Sequence, residues 1–182
     1  MVRAEPDEAR VLEEQAALRG EADALAALVE RAGWSLAPAP GDQARSFLGR
    51  LIGGAADDSE AAPDPVAVYL DSAGALDAIA ADVSGLAGET RDVARRAAAV
   101  AGAPEGLARA SLERDIAAAE GALGAVRRAR AFFLEVETRI GGAHAPVAEG
   151  VLALKAAETA LAEAADALAE RRWAGRGDAL SG

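Results

Sequence analysis

Cysteine is absent from this chain of 182 residues, and aromatic residues make up only 3% of it. Without cysteine there is no disulfide bond and no thiolate metal site, and the redox compartment stays open. Histidine occurs once, at His144, so the inward Glu-x-x-His pairs of a di-iron bundle are missing. The Gly-x-x-x-x-Gly-Lys motif of phosphate-binding loops is missing as well. We therefore predict no catalytic residue, no metal and no cofactor.

Basic residues are outnumbered, with 19 Lys and Arg against 30 Asp and Glu and a net charge of −11. Nucleic-acid binding requires a basic face that neutralises phosphates, so this balance predicts no nucleic-acid partner. Lys155 is the only lysine and asparagine is absent, which is typical of a GC-rich genome, and we expect a bacterial source. No uncharged apolar run reaches about 18 residues, and residues 1–10 lack the apolar segment of a secretory signal. These features predict a soluble, cytoplasmic protein without a membrane span.

The longest apolar pattern runs from Asp64 to Val100. Its positions alternate in steps of three and four, as in heptad repeats, at Tyr69, Ser72, Leu76, Ile79, Val83, Leu86, Thr90, Val93, Ala97 and Val100. Asp64 is suited to cap a helix N-terminus and Pro65 to fill its first position, while Gly102 and Pro104 end it. We predict one continuous helix of about 54 Å, which needs partner helices to bury its stripe.

Three further helices are predicted from similar patterns: one ending at Gly33, one from Pro104 to Gly141, and one from Pro146 to Trp173. Near the end of the second, the stripe shifts and predicts a rotated contact face, at Ala129, Phe132, Val136 and Ile140. Short turns between the long helices favour antiparallel neighbours. The predicted fold is all-α, an antiparallel bundle of three to four long helices with coiled-coil-like heptad packing. Whether the first helix joins the bundle stays open.

Residues 34–63 differ from the rest because proline and glycine flank an amphipathic segment, 42–52, which is predicted to be a short helix. The chain is therefore divided into an N-terminal helix (1–33), a flexible connection (34–63), a helical bundle (64–174) and a disordered tail (175–182).

The short segment carries the leading candidate for a partner-binding site. Its apolar side chains share one face of the predicted helix, at Phe47, Leu48, Leu51 and Ile52. A helix this short is not stable alone in water, so we expect it to order by docking. The docking surface is either this protein's own bundle or a partner, and the sequence favours neither.

A second candidate is an anion-binding site at an arginine-rich end of the bundle. Its residues are Arg95, Arg96, Arg109, Arg171, Arg172 and Trp173. Guanidinium groups bind phosphate or carboxylate with two hydrogen bonds, and a tryptophan ring can stack beside them. The alternative, which we favour, is that nearby Asp and Glu side chains pair with these arginines along the helix surfaces. His144 is expected to be an exposed loop residue.

The expected function is non-catalytic protein–protein interaction through helical faces, as in an adaptor, scaffold or assembly subunit. The partner is another protein or a second copy of the chain. One alternative is an anion-binding or small-ligand-binding bundle that uses the arginine-rich end, although a small-molecule ligand is less favoured. Another alternative is a protein that coats a lipid or granule surface reversibly through its apolar stripes.

Overall fold

The computed structural model describes residues 6–36, 63–103, 109–142 and 144–177. These ranges contain five α-helices and no strand, so the all-α prediction is confirmed. The helices are α1 (Pro6–Ala32), α2 (Pro65–Ala73), α3 (Leu76–Ala101), α4 (Arg109–Arg139) and α5 (Ala145–Gly177).

The helix ends at Asp64 and Gly33 follow the local chemistry predicted from the sequence. The Asp64 carboxylate accepts a hydrogen bond from the Val66 N–H at 3.1 Å, and Pro65 occupies the first turn of α2. Gly33 follows the last residue of α1 with a φ of 68°. That left-handed conformation costs little in a residue without a Cβ atom.

The prediction of one continuous helix from Asp64 to Val100 is wrong, because the chain leaves the helical conformation at Gly74 and Ala75. Gly74 closes α2 with a φ of 67°, and Ala75 is extended, with φ −147° and ψ 144°. A glycine in a helical pattern does not by itself signal such a break, since Gly85 lies within α3.

Burial along α3 follows the predicted pattern only after this break. The predicted positions that are buried are Ile79, Val83, Leu86, Thr90, Val93, Ala97 and Val100. Before the break, Ser72 is exposed and Tyr69 is half-buried, while Val66 is the buried residue of α2. The apolar repeat therefore does not continue through Gly74 into α2.

The four long helices form a ring around one core. In it α1 packs on α4, α4 on α5, α5 on α3, and α3 on α1, with the most extensive contact between α3 and α5. α3 and α4 follow each other in the chain but lie on a diagonal with little contact. Of the chain neighbours predicted to pack on each other, α4 and α5 therefore do so, whereas α3 and α4 do not. α2 contacts α3 and α4, the same helices as α1, and so lies beyond the end of α1.

α3 and α5 run parallel and approach each other closely. Towards their C-termini, an Arg171 guanidinium nitrogen donates a hydrogen bond to the Val100 carbonyl at 2.8 Å. Towards their N-termini, Gly150 lies so near Val83 that an added Cβ would collide with the Val83 Cγ1. The absence of a side chain at Gly150 therefore allows this close contact.

α1 and α4 are also parallel, and together they run opposite to α3 and α5. Gln15 contacts Asp115 near the start of both helices, and Trp34 contacts Phe133 near their ends. We call the end where α1 and α4 finish the base of the bundle, and the opposite end the top. α2 and the start of α3 lie at the base. α1, whose place the sequence left open, is thus part of the ring.

The contact face of α4 rotates near the base, as the sequence predicted. Ala129, Phe132 and Val136 are buried there and Ile140 is half-buried against the core, whereas Arg130 and Glu137 are partly exposed. This rotation directs the two adjacent phenylalanines of α4 into the core, where they can receive the end of α1 and α2.

Candidate protein-interaction site

An aromatic cluster supports the base of the bundle. Its members, Trp34, Tyr69, Phe132 and Phe133, make edge-to-face contacts with ring centroids 5.1 to 5.9 Å apart. Both phenylalanines are buried on α4, with Trp34 arriving from the end of α1 and Tyr69 from α2. Edge-to-face pairs stabilise beyond the area they bury. The cluster therefore holds the end of α1 and the whole of α2 on α4.

Tyr69 also connects α2 to α3. Its hydroxyl donates a hydrogen bond to Asp82 Oδ2 at 2.7 Å. Burial raises the pKa of Tyr69 well above its ordinary range, and the hydrogen-bonded Asp82 carboxylate raises it further. The phenol therefore stays a neutral donor, and α2 is held from both sides.

An exposed ion pair closes the outer edge of the base. Arg139, at the end of α4, pairs with the Asp64 carboxylate and, at 2.8 Å, with Glu135. The hydrogen bond from Arg139 lowers the pKa of Asp64, and the same bond raises the pKa of Arg139. Asp64 thus caps α2 and ties it to α4.

We expect Asp64→Asn to lower the melting temperature slightly near neutral pH and to have no effect in acid. Asparagine still caps the helix, so the substitution isolates the charge. Because the folded-state pKa of Asp64 lies below the ordinary aspartate value of about 3.9, its contribution is present above that value and is lost as the pH falls through the folded-state pKa. Thermal unfolding across this pH range measures the difference. Asp71→Asn, at an exposed site of α2, is the control, and a difference independent of pH would contradict this account.

Large apolar side chains are exposed mainly at the base. Within the described ranges the exposed ones there are Leu36, Val68, Leu76, Leu134 and Leu152, and we call these five residues the base surface. Leu152 is 66% exposed and Leu134 is 48% exposed. They lie within about one turn of the same level, because α4 and α5 are antiparallel and Arg130 contacts Glu158. By contrast, Leu12, 54% exposed, lies near the top.

The predicted partner-binding residues Phe47, Leu48, Leu51 and Ile52 lie outside the described residues. The structure nevertheless shows where their segment attaches. The described chain stops at Leu36, after α1, and resumes at Pro63, before the Asp64 cap. Both points are at the base, so the segment begins and ends beside the base surface.

At the top, two of the predicted anion-binding arginines pair with carboxylates. Arg96 lies between two glutamates of α1, with nitrogen–oxygen distances of 3.0 Å to Glu14 and 2.9 Å to Glu21. Hydrogen bonds to Glu14 and then Glu21 raise the pKa of Arg96. Arg95 pairs with Asp92 at 2.7 Å on the exposed face of α3. Both arginines are therefore paired with acidic side chains, as in the alternative to an anion site, and Arg96 faces α1.

The arginines near the end of α5 also have partners. Arg171 donates hydrogen bonds to the backbone carbonyls of Val100 and Ala103, at 2.8 and 2.6 Å. Arg172 pairs with Glu113 of α4 at 2.5 Å. Arg171 therefore joins α5 to the last turn of α3, and Arg172 joins it to the first turns of α4.

The remaining members of the predicted anion site, Arg109 and Trp173, have side chains outside the described part of the chain. Their contribution stays a prediction. The contacts given above for the four arginines whose side chains are described go to different helices: Arg96 to α1, Arg95 and Arg171 to α3, and Arg172 to α4.

A buried polar contact between α1 and α4 was not predicted. Asp115 is fully buried, its Oδ1 accepts a hydrogen bond from Arg19 Nε at 2.8 Å, and its Oδ2 accepts one from Gln15 Nε2. Arg19 also donates to Ser111 Oγ at 3.1 Å. The signal in the sequence was Gln15, a polar residue within the apolar stripe of α1.

His144 is partly buried, not exposed as predicted. Its side chain is 23% exposed, and Nε2 lies 3.0 Å from Asp77 Oδ1, near the start of α3. Among the described residues, no group of three or more His, Cys, Asp or Glu side chains is arranged to hold a metal ion.

No protein family matches this chain, and no curated protein or solved structure is significantly similar to it. Of the helices that the structure describes, none combines the length and the apolar character needed to cross a membrane. Function is therefore inferred from the base surface and from the charge pairs of the bundle.

Proposed function

We propose that this chain is a non-catalytic interaction protein that binds another protein through the base surface. The carrying observation is that five exposed large apolar side chains lie at one end of the bundle. Large apolar side chains exposed together at one end of a fold are candidates for a protein-binding site. The aromatic cluster holds the end of α1 and α2, which carry Leu36 and Val68, on α4. A site on elements that are already held in place loses less entropy on binding.

The connection between α1 and α2 is part of the same proposal. The predicted amphipathic helix 42–52, in its Pro/Gly-rich setting, contributes its apolar face to the base. It either extends the partner's binding site or covers the base surface of its own bundle. The proposal further includes heptad-like packing of the long helices. It also places the protein in the cytoplasm and assigns it no cofactor.

The alternatives have less support. Anion or small-ligand binding needs arginines without acidic partners, whereas Arg95, Arg96 and Arg172 are paired with carboxylates. Reversible coating of a lipid or granule surface needs helices that open and release their apolar stripes. The stripe of α3 from Ile79 to Val100 is buried in the ring, so opening would have to break that core.

Leu134→Ser combined with Leu152→Ser should reduce capture of the partner about tenfold or more, because apolar anchors dominate interface energetics. The tagged full chain is used as bait in a lysate of its native host, and retained proteins are quantified by mass spectrometry. Exposed substitutions change stability by only about 0.5 kcal/mol, so the bundle should stay folded. Leu12→Ser, equally exposed at the top, is the matched control. Loss of the same proteins with Leu12→Ser, or their retention by the double variant, would contradict the proposal.

Phe47→Ala combined with Leu51→Ala distinguishes the two roles of the connection. If the segment contributes to the partner's site, capture falls while the melting temperature of the isolated chain is unchanged. If it covers its own bundle, the melting temperature falls, since burying such side chains contributes roughly 1.5–3 kcal/mol each before ordering costs. Should neither quantity change, the segment has no part in the site.

A further inference from the structure

The groove between α3 and α4 recognises α1 through two sets of polar contacts. On α4, buried Asp115 binds Gln15 and Arg19, an amide and a guanidinium four residues apart. On α3, Arg96 binds two carboxylates seven residues apart, those of Glu14 and Glu21. These spacings place each set on one side of the α1 helix.

These contacts fix one register of the helix in the groove. A shift of α1 by one turn would leave Asp115 with at most one of its two partners, because Gln15 and Arg19 are four residues apart. It would also take both carboxylates away from Arg96, since no acidic residue lies four residues before or after Glu14 or Glu21. A buried polar contact that loses a partner is unfavourable. Buried polar groups in helix interfaces select register and partner in the same way. The groove therefore favours a helix with the polar sequence of α1 over an arbitrary amphipathic helix.

Among the long helices, as far as they are described, α1 buries the fewest apolar side chains in the core. It packs on α3 and α4, and no packing against α5 is seen among the described residues. Its contact face includes fully buried Gln15, whose Oε1 has no hydrogen-bond partner within the described structure. Elements with partly unsatisfied polar contacts open at lower free energy than the rest of a fold.

The length of the connection does not restrict α1 to its own groove. α1 has 27 residues and is about 40 Å long. At roughly 3.4 Å per extended residue, the chain from 37 to 62 reaches up to about 88 Å. Leu36 and Pro63, where this stretch attaches, are both at the base, so α1 can reach a groove on a neighbouring molecule.

We infer that α1 exchanges between molecules, so that the α3–α4 groove of one copy binds α1 of a second copy in a reciprocal dimer. A second copy carries the required amide, guanidinium and carboxylates at the required spacing, and exchange recreates every contact seen within one chain. This inference does not rest on the proposed function, because it uses the groove and not the base surface.

Cross-linking between introduced cysteines tests the exchange. Because the chain has no cysteine of its own, one substitution per variant introduces a single thiol at a chosen position. The variants Glu21→Cys and Arg96→Cys carry their thiols on side chains that contact each other across α1 and α3. The two are mixed, incubated, and treated with a short bis-maleimide, and products are separated on a denaturing gel. The control mixture replaces Arg96→Cys by Lys155→Cys, an exposed site on α5.

We expect the amount of covalent dimer to be at least about tenfold higher in the first mixture than in the control mixture. Docking of α1 in the groove of a second copy raises the effective concentration of the two thiols. The double variant Glu21→Cys with Arg96→Cys reports the fraction joined within one chain. Dimer at the control level in the mixture would overturn the inference. Failure of the double variant to cross-link at all would also overturn it, because α1 would then not lie in the groove.

Charge reversal tests whether the polar contacts direct the exchange. One variant carries Arg96→Glu and the other Glu14→Arg with Glu21→Arg, so each alone places like charges between α1 and α3. Mixed, each variant offers the other a matched α1, and light scattering should show a doubled mass. An unchanged mass, with both variants helical by circular dichroism, would contradict the inference. Leu134→Ser with Leu152→Ser should leave exchange intact, which separates it from the proposed function.

Discussion

The Asp115→Ala variant should have a free energy of unfolding lower by about 2–4 kcal/mol than the natural chain. The carboxylate is fully buried, and its removal leaves the Gln15 amide buried without its acceptor. The Arg19 guanidinium loses its ion pair as well, although its side chain, 30% exposed, can turn towards water. Urea denaturation followed by circular dichroism measures the loss.

The matched experiment replaces the whole network. Gln15→Leu, Arg19→Met and Asp115→Leu in one chain should be as stable as the natural protein or more so, because no buried polar group is left unpaired. A triple variant that is as unstable as Asp115→Ala would show that the loss does not come from unpaired polar groups. In the triple variant, the position of α1 along its groove should also be less strictly fixed, because these polar contacts are gone.

Gly150→Ala should destabilise the bundle by about 1–3 kcal/mol, the usual effect of overpacking an interface. The added methyl group would overlap Val83 Cγ1 and would lie 3.3 Å from Ser84 Oγ. Val83 is fully buried on α3, so α3 and α5 must move apart at this point. Chemical denaturation gives the change in stability.

Gly85→Ala is the control for this substitution. It lies in α3, and no atom outside its own helix backbone lies within 4 Å of an added Cβ. There, alanine should stabilise by roughly 0.5–1 kcal/mol through helix propensity. The two variants should therefore differ in sign, and equal effects would contradict the close parallel packing of α3 and α5.

Apolar periodicity predicted the helices of this protein because it reports which face of a helix is buried. It identified the buried positions of α3 from Ile79 onward and the rotation of α4 at Phe132. It did not reveal the break at Gly74, since Gly88, fourteen residues later and therefore at the same heptad position, stays helical. Periodicity also does not say which helix a face meets, and the diagonal arrangement of α3 and α4 was missed.

The candidate site was less predictable for a related reason. Leu134 and Leu152 lie off the apolar stripes of their helices, so periodicity places them on outer faces, but single exposed leucines are common on protein surfaces. Only the arrangement of the helices shows that both lie near the base. Asp115 directly precedes Ile116 of the α4 stripe, and it resembles the many surface carboxylates of this acidic chain until α1 is placed beside it.

Hydroxyl-radical footprinting tests the central claim, that the base surface binds a protein, most directly. The oxidation rates of exposed side chains are compared between the purified chain and the complex eluted from the affinity column. We predict that oxidation of Leu134, Leu152 and Val68 falls in the complex while oxidation of Leu12 at the top is unchanged. A complex that protects Leu12 and leaves Leu134 and Leu152 as reactive as in the free chain would contradict the account.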